Sequence, residues 1–469
     1  MKEKIKNIIN QVFEEKGIMG FALKFQVYVK MKEHRMKFRW ETEFRETEIG
    51  EIPGEWEVTN LGDNRFFKIL PSGIKEFEGF KEYLSTSSVE GSEIVKIEEV
   101  ITYNKRPSRA NMQPVENSVW LARMINSPKF LKANKDLIEN KILSTGFLGI
   151  QTKTKETCDY LFYYIQTKEF QEYKDAYVTG AVQESLTNES AKDLLVIIPP
   201  LPEQSRIATV LSWFDDLIEV KKRQNEILEK TAMSIFKSWF VDFEPFRDGE
   251  FVYSEELGKE IPKGWEVKRL YELCKILRGL NFKSNEVIFE YVKGYIPVLR
   301  TNNIKGGFEI DFSDLMFVKE DKINPEKLLK ENDILLSASN GNPELVGNFA
   351  VFLNTFTDLA FSFGAFIYLI RVNNHEMFPY VYLSLSDNSF REYVASAISG
   401  TNINNLNLSD LKNFPVLIPP SHILQSFHSL IEPLFQKIIL NQKQIMTLRK
   451  IRDTLLPLLV FGKLRVEEV

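Results

Sequence analysis

The chain has 469 residues, with 60 lysines and arginines against 65 aspartates and glutamates, a formal net charge of −5, and 43% apolar residues. This balance excludes a disordered, collagen-like or low-complexity chain, and the length predicts about three domains, or two with substantial connecting elements. No apolar stretch approaches the ~20 residues that span a bilayer, and the N-terminus is too charged for a signal peptide. We therefore expect a cytoplasmic protein without a membrane partner. Its two cysteines exclude a disulfide framework or a thiolate metal cluster.

An N-terminal extension occupies residues 1–50, before the first repeated motif. It contains apolar residues that alternate as in a strand: Phe21, Leu23, Phe25, Val27 and Val29. Residues 24–39 are basic, which fits either a solvated face, the commoner case, or a nucleic-acid arm. The sequence assigns no role to residues 1–37.

An internal repeat organises the rest of the chain. The segment EIPGEWEV at 51–58 recurs as EIPKGWEV at 260–267, with six of eight residues identical and an offset of 209. A second set recurs with an offset of 220: Tyr160, Phe170, Pro199 and Pro200 become Tyr380, Phe390, Pro419 and Pro420. The chain therefore contains two copies of one unit, in which the ends match and the middles do not.

The middles are predicted to be globular domains of mixed α/β structure. Four short runs rich in β-forming residues predict strands, at 146–150 in the first copy and at 294–300, 333–337 and 366–370 in the second.

Each copy is followed by a glycine-free segment with helical spacing of its apolar residues, at about 203–240 and about 423–456. The apolar seams keep one heptad register: Leu211, Phe214, Ile218, Leu228 and Ile235 in the first, and Ile431, Leu434, Ile438, Leu448 and Leu455 in the second. Such a seam is typical of a coiled coil, and polar interruptions such as Asn225 and Asn441 fix register. The alternative is two separate amphipathic helices, each packed on its own domain.

No catalytic constellation is present in the sequence. The Gly-Lys pairs that begin at Gly258 and Gly462 lack the following Ser or Thr of a phosphate-binding loop, and the four histidines show no metal-ligand spacing. We therefore expect no enzymatic activity, cofactor or metal in this chain.

Basic and amide side chains, which neutralise phosphates and bond to base edges, cluster in both middles. In the first copy the candidates for DNA contact are Lys105, Arg106, Arg109, Asn111, Gln113, Arg123 and Lys129. In the second copy they are Arg300, Asn302, Asn303, Lys305, Ser339, Asn340 and Asn342. On composition alone, ordinary polar turns explain these clusters equally well.

The chain resembles the specificity (S) subunits of Type I restriction-modification systems. Three segments carry the resemblance: VIIPPLPEQ at 196–204, SWFVDFEPF at 238–246, and GTNI at 400–403. The last resembles a short motif near the end of each recognition domain, which adds Gln183, Thr401 and Asn402 to the candidate DNA contacts. Two departures are the GAVQ at 180–183 in place of the Gly-Thr form, and the SHILQ at 421–425 in place of Leu-Pro-Glu-Gln.

The resemblance implies an α+β fold with two α/β target-recognition domains in pseudo-twofold tandem repeat, joined by two long antiparallel coiled-coil spacer helices. The implied boundaries are 51–202 and 244–420 for the recognition domains, 203–243 and 421–456 for the spacer helices, and 457–469 for a C-terminal tail. It also implies a non-catalytic subunit in which each domain reads half of a bipartite site on double-stranded DNA. The implied partners are methyltransferase (M) subunits, which bind S-adenosylmethionine, and a restriction and translocation (R) subunit. The alternative is a coiled-coil interaction scaffold without DNA specificity.

Overall fold

A computed structural model describes residues 36–179, 185–354, 359–398 and 405–468. They form two compact units: the described residues of Met1–Asp215 together with those of Lys450–Val469, and the described residues of Asp216–Arg449. The alternating segment at 21–29 and the candidate contacts Gln183, Thr401 and Asn402 lie outside the described residues.

Short strands build the first unit: Met36–Trp40, Phe44–Arg45, Ile52–Pro53, Glu57–Asn60, Phe67–Ile69, Lys81–Leu84, Val89–Glu90, Glu93–Ile94, Glu99–Ile101, Ala110–Met112, Ser118–Ala122, Phe130–Lys132, Lys141–Ser144, Phe147–Thr152, Leu195–Ile198 and Leu464–Glu468. Its short helices are Lys135–Asn140, Lys155–Tyr164, Lys168–Thr179 and Asn188–Lys192.

The second unit has the strands Phe251–Ser254, Lys259–Pro262, Glu266–Arg269, Cys274–Arg278, Val287–Ile288, Tyr295–Leu299, Ile304–Gly306, Glu309–Ile310, Met316–Lys319, Ile334–Ser337, Phe349–Val351, Ser362–Phe363, Ile367–Val372 and Pro415–Ile418. Its short helices are Leu270–Leu273, Phe378–Ser386, Asn388–Ile398 and Leu408–Lys412. Two helices of 40 residues each, the first long helix Leu201–Phe240 and the second long helix Ser421–Val460, have residues in both units.

Two four-stranded sheets form the body of the first unit. Its antiparallel sheet has the order Phe130–Lys132, Ser118–Ala122, Phe147–Thr152, Phe67–Ile69. Its mixed sheet has the order Ala110–Met112, Lys141–Ser144, Lys81–Leu84, Glu99–Ile101, with a parallel central pair. Trp120 of the antiparallel sheet and Leu143 of the mixed sheet belong to one buried cluster, so the two sheets share a core.

The second unit repeats this architecture. Its antiparallel sheet has the order Phe349–Val351, Ile334–Ser337, Ile367–Val372, Cys274–Arg278. Its mixed sheet has the order Ser362–Phe363, Tyr295–Leu299, Met316–Lys319, Val287–Ile288, again with a parallel pair. The middles, which do not match in sequence, therefore share the topology of the antiparallel sheet and of three strands of the mixed sheet, whose fourth strand lies on opposite sides in the two units.

A two-stranded ladder frames each unit in the same register. In the first unit Glu57–Asn60 pairs with Leu195–Ile198, so that Glu57 lies opposite Ile198. In the second unit Glu266 lies opposite Ile418. These two pairs correspond through the offsets of 209 and 220, so the ladders confirm the internal repeat.

The two long helices pack along the predicted seam within the second unit. There Asn441 is fully buried and donates from its Nδ2 to the Oδ1 of Asn225, at 2.9 Å. Lys221 donates to Gln444 at 2.5 Å. Because residue 221 contacts 444 and residue 225 contacts 441, the two helices run antiparallel. The helices begin at Leu201 and Ser421, two residues before the periodicity indicates, and the second continues to Val460, past the predicted end at 456. It continues because Leu459 and Val460 are fully buried, which offsets the hydrogen bond lost at Pro457.

In the second unit, ion pairs attach residues outside the four-stranded sheets to the second long helix, and an aromatic contact joins the two long helices. Glu309 forms an ion pair with Arg449 at 2.7 Å, and Glu331 pairs with Lys443 at 2.6 Å. An aromatic contact adds to these, because the rings of Phe240 and Phe427 lie 4.7 Å apart, edge to face.

The last strand of the first unit is held by a strand pair and by a group of ion pairs around Arg465, which together we call the clasp. Leu464–Glu468 pairs antiparallel with Met36–Trp40, and the buried Arg465 on it contacts three carboxylates. It pairs with Glu41, with Glu203 at the start of the first long helix, and with Glu55 at 2.6 Å. The indole Nε1 of Trp56 donates to the same Glu203 at 3.0 Å. The predicted C-terminal tail, 457–469, is thus the end of a helix followed by a structural strand.

Candidate nucleic-acid interface

The loop between Glu99–Ile101 and Ala110–Met112 carries the densest set of candidate cations. Arg106 stacks on Tyr103, with 4.4 Å from its guanidinium carbon to the ring centroid, and donates to the Tyr103 carbonyl. Lys105 and Arg109 are exposed, and neither side chain has a partner among the described residues. Their charges are therefore available to an anionic ligand. Asn111 and Gln113, just beyond the loop, are half-buried.

Arg123 and Lys129 lie at the two ends of the first reading loop, residues 123–129, which joins Ser118–Ala122 to Phe130–Lys132. Arg123 donates to the carbonyls of Phe147 and Leu186 and to the Asn188 side chain, at 3.0, 2.8 and 2.6 Å. Lys129 donates to the carbonyl of Thr86 at 2.7 Å. The structure thus gives both cations internal bonds that shape the loop.

A buried ion pair from the neighbouring helix holds the middle of this loop. Lys174, fully buried, donates to the Met124 carbonyl at 3.2 Å and pairs with Asp175 at 3.1 Å. Asp175 in turn accepts from the backbone N–H of Asn126, which has a positive φ of 51°. Burial lowers the pKa of Lys174 by more than the nearby Asp175 raises it, so the pKa lies below its ordinary value. Sequence reasoning missed this pair, because a lysine and an aspartate on an amphipathic helix usually lie on its solvated face.

The turn at Thr145 and Gly146 brings three of the candidates into one region. Thr145 donates its backbone N–H to the Arg109 carbonyl at 2.9 Å, and the Gly146 carbonyl accepts from the Arg123 N–H at 3.0 Å. A Cβ on Gly146 would lie 2.9 Å from the methyl of Thr86, the residue that Lys129 contacts. The cationic loop and the first reading loop therefore meet at this turn.

In the second unit the side chains of the predicted polar cluster at 300–305 are bonded mainly to the neighbouring Asp311 and Asp314. Asn303 is fully buried, accepts from the Arg300 N–H at 2.7 Å, and donates to the carbonyls of Asp311 and Asp314. Arg300 and Asn302 both contact the Asp314 carboxylate, at 2.5 and 3.1 Å. Lys305 lies 3.7 Å from Asp311.

The second reading loop, residues 338–348, joins Ile334–Ser337 to Phe349–Val351 and contains Ser339, Asn340 and Asn342. The Asn340 side chain accepts from the Asn342 N–H at 3.0 Å, and Asn342 caps the turn that follows, where its exposed amide N–H₂ stays available. This loop carries amides where the first unit carries cations.

Both reading loops are fixed to the residues that follow a segment outside the described chain. Leu186 donates its N–H to the Arg123 carbonyl at 3.0 Å, and Leu406 donates to the Ala338 carbonyl at 2.8 Å. Met124 bridges Ser185, and Ser339 bridges Asn405. The flanks of the segments that hold Gln183, Thr401 and Asn402 thus adjoin the reading loops in both units.

The exposed candidate residues are of the types that bind nucleic acids. Lysine and arginine contact phosphates, whereas amides and hydroxyls also bond to base edges. Within the described residues no group of three His, Cys, Asp or Glu is placed to hold a metal ion, and no described helix is apolar enough over its length to cross a bilayer.

Comparison with known proteins identifies the repeat. The model of the family described as "Type I restriction modification DNA specificity domain" matches twice, at residues 53–230 and 262–450. The specificity subunit of the type I restriction enzyme MjaIX of Methanocaldococcus jannaschii is 40% identical over 447 residues, which cover 92% of this chain and 99% of that protein. The chain belongs to this family of Type I specificity subunits.

More distant specificity subunits match as well. That of the type I restriction enzyme HindI of Haemophilus influenzae is 25% identical, over 72% of this chain and 84% of its own. Among solved structures, the Type I S subunit from M. genitalium is 17% identical, covers 87% of this chain and 96% of its own, and has a TM-score of 0.44.

Family membership confirms the main interpretation of the sequence. The chain is a Type I specificity subunit, a DNA-recognition component and not a catalytic one, and the family does not support the alternative of a scaffold without DNA specificity. The mixed strand and helix content and the two repeated domains are confirmed too. The individual DNA contacts stay predictions.

Neutralising Lys105 and Arg109 together should weaken DNA binding, because both cations are exposed and have no partner among the described residues. If both contact phosphates, the slope of log affinity against log salt should shrink by about two. Fluorescence anisotropy with a duplex of random sequence measures both quantities. Lys168→Ala is the control, since this lysine is 83% exposed but lies on a helix away from the loop. Equal slopes for the two variants would assign the loop a structural role.

Proposed function

We propose that each unit reads one half of a bipartite site on double-stranded DNA. One observation carries the proposal: the two units repeat the topology of the antiparallel sheet and one reading-loop attachment, while the loops themselves differ in chemistry. A shared scaffold with different loops is suited to reading two different base sequences. Exposed cations would contact the DNA in the first unit, and exposed amides would contact it in the second.

The long helices are proposed as the spacer between the two half-sites and as the docking surface for methyltransferase subunits. Val220 and Leu440 correspond through the offset of 220, and both are about half exposed, at 52% and 49%. Large apolar side chains so exposed on polar helices mark interaction sites when they are grouped, and Ile227 lies one heptad beyond Val220. Equivalent apolar positions on two repeated helices would suit two copies of one partner.

The chemistry is proposed to lie in the partners. S-adenosylmethionine would bind to the M subunits, which methylate adenine, and DNA cleavage would need the R subunit. This chain would hold no cofactor and would place the M subunits at the site that it reads.

The test is to express the chain with its methyltransferase partner in a host without other adenine methylation and to sequence the methylome. A split motif, with two short specified parts and an unspecified spacer of fixed length, is the expected result. The partner expressed alone, and the chain expressed alone, serve as controls and should give no motif. Methylation by the purified chain alone, or a single continuous motif, would contradict the proposal.

A further inference from the structure

An exposed phenylalanine lies beside the second reading loop. Phe366 is 62% exposed, although the first four residues of the strand Ile367–Val372 that follows it are buried. Its backbone carbonyl accepts a hydrogen bond from the N–H of Ala338, the first residue of the loop, at 2.8 Å. Because Ile367 lies opposite Ser337, the Phe366 turn and the loop project from the same end of the antiparallel sheet.

Single exposed apolar side chains are common, but the backbone that carries this one is held in place. Phe366 is a central residue of a four-residue turn, in which the Ile367 N–H donates to the Gly364 carbonyl at 2.9 Å. A Cβ on Gly279 would lie 2.0 Å from the same carbonyl oxygen, so the two backbones pack with no room for a side chain between them. An aromatic side chain on a fixed backbone loses little conformational freedom when it binds a ligand.

A cation adjoins this turn. Arg278, the last residue of the strand Cys274–Arg278, lies opposite Tyr368 in the ladder and donates from its Nε to the Ala365 carbonyl at 3.4 Å. The Arg278 side chain is exposed and forms no ion pair among the described residues. Its charge is therefore available to a phosphate beside the turn.

The first unit has no aromatic side chain at this place. Its Gly146 corresponds to Phe366, because the Gly146 carbonyl accepts from the Arg123 N–H in the same way. A Cβ on Gly146 would lie 2.9 Å from the methyl of Thr86, so a side chain there would displace Thr86. The exposed ring thus belongs, like the amides of the second reading loop, to the part of the repeat that differs between the units.

We propose that Phe366 reads a thymine in the half-site of the second unit, by packing against its C5-methyl group in the major groove, while Arg278 contacts an adjacent phosphate. This inference rests on the proposed function and adds the base that one residue reads. Thymine alone among the four bases presents a methyl group in the major groove, and apolar side chains contact it there. The exposed Asn342 amide of the neighbouring loop suits an adenine edge, so both groups favour A·T pairs.

The experiment combines a protein variant with a base analogue. The methylome of the unmodified chain with its methyltransferase partner gives the motif, and each thymine of that motif is then replaced in turn by uracil, which lacks the methyl group. Fluorescence anisotropy of the complex should show a position at which uracil weakens binding about fourfold, the effect of losing one buried methyl group. In Phe366→Ala the affinity for the thymine duplex should fall by at least as much, and uracil at that position should cause no further loss.

Tyr253→Ala is the control, because this side chain is 67% exposed in the same unit but lies on the hairpin of Phe251–Ser254 with Lys259–Pro262. It should keep the full effect of uracil. Arg278→Ala should also keep that effect, while its slope of log affinity against log salt should shrink by about one.

Two results for Phe366→Ala would overturn the proposal. An unchanged affinity would show that the ring does not contact the DNA. A lower affinity with every uracil effect retained would show a contact that does not depend on the methyl group, such as insertion between base pairs. An unchanged salt slope for Arg278→Ala would overturn the phosphate contact. Failure of the proposed function is distinguishable from all of these, because the unmodified chain would then give no split motif.

Discussion

Replacing Arg465 by methionine should destabilise the first unit by about 3–5 kcal/mol, the cost of removing one member of a buried ion network. The substitution removes the Arg465 guanidinium from Glu41 and Glu203, whose side chains are 5% and 3% exposed, and leaves Glu41 only the longer pair with Arg39, at 3.6 Å. It also frees the strand that pairs with Met36–Trp40, because Arg465 is the buried anchor of Leu464–Glu468.

Hydrogen exchange of the full chain is the appropriate measurement, since a chain of two units does not unfold in two states. Protection at Met36–Trp40 should fall, while protection in the sheets of the second unit serves as the internal reference. Lys463→Met is the matched control, because this lysine is exposed and lies two residues from Arg465. Equal protection in the two variants would mean that the carboxylates find other partners and that the clasp contributes little.

The clasp also predicts how stability depends on pH. Burial raises the pKa of Glu41, but the backbone N–H groups of Glu43 and Thr42 and the Arg465 guanidinium outweigh it and lower the pKa to about 2. Because the folded pKa is depressed, this contribution is complete above the ordinary value near 4.5 and is lost as the pH falls toward 2. Over that window Glu41→Gln should show a flatter loss of first-unit protection than the unmodified chain.

The ends of the repeat and the helix seam were predictable because they rest on local patterns. The frame ladders follow from the motif at 51–58 and the strand before Pro199, and the buried Asn441 and Ile438 follow from heptad spacing. The shared topology of the middles was not predictable in this way. The turn Thr86–Ser88 corresponds to Thr301–Asn303 at an offset of 215, between the offsets of 209 and 220 at the ends, so insertions on both sides hide the match.

The candidate site was predictable in composition but not in role. Arg123 and Asn303 share the residue types of DNA contacts, yet their polar atoms bond within their own unit. Only the contacts reveal this, since a cation with internal partners and one without look identical in a sequence. The Arg465 clasp was equally hidden, because Arg465 and Glu41 are 424 residues apart and no periodicity links them.

Exchanging residues 65–195 for the equivalent part of another Type I specificity subunit should change one half of the recognised site and leave the other half and the spacing unchanged. The exchanged segment contains both four-stranded sheets of the first unit and the first reading loop, but neither the motif at 51–58 nor the long helices. The methylome of a host that carries the variant and its methyltransferase partner reads out both halves and the spacing together.

Lengthening the two long helices should instead change the spacing. The contacts of Lys221 with Gln444 and of Asn225 with Asn441 define one level, so one heptad inserted after Arg223 and another after Gln442 keeps the seam in register. Each insertion adds about 10 Å of helix, which corresponds to about three base pairs of duplex at 3.4 Å each. Lys443 and Arg449 follow the second insertion, which moves them by about 10 Å along the helix from Glu331 and Glu309. Both ion pairs should therefore be lost in the variant, and hydrogen exchange can check this.

The expected motif therefore has unchanged bases in both halves and a spacer longer by about three pairs. The duplex also turns by about a third of a revolution over that distance, so the affinity should fall even where the motif is still methylated. A heptad inserted in the first long helix alone is the control: it moves Asn225 away from Asn441 and should abolish methylation. If the paired insertion changed the bases read, or the exchange of 65–195 changed the spacing, then the units would not be independent readers on a common frame, and the modular assignment would be wrong.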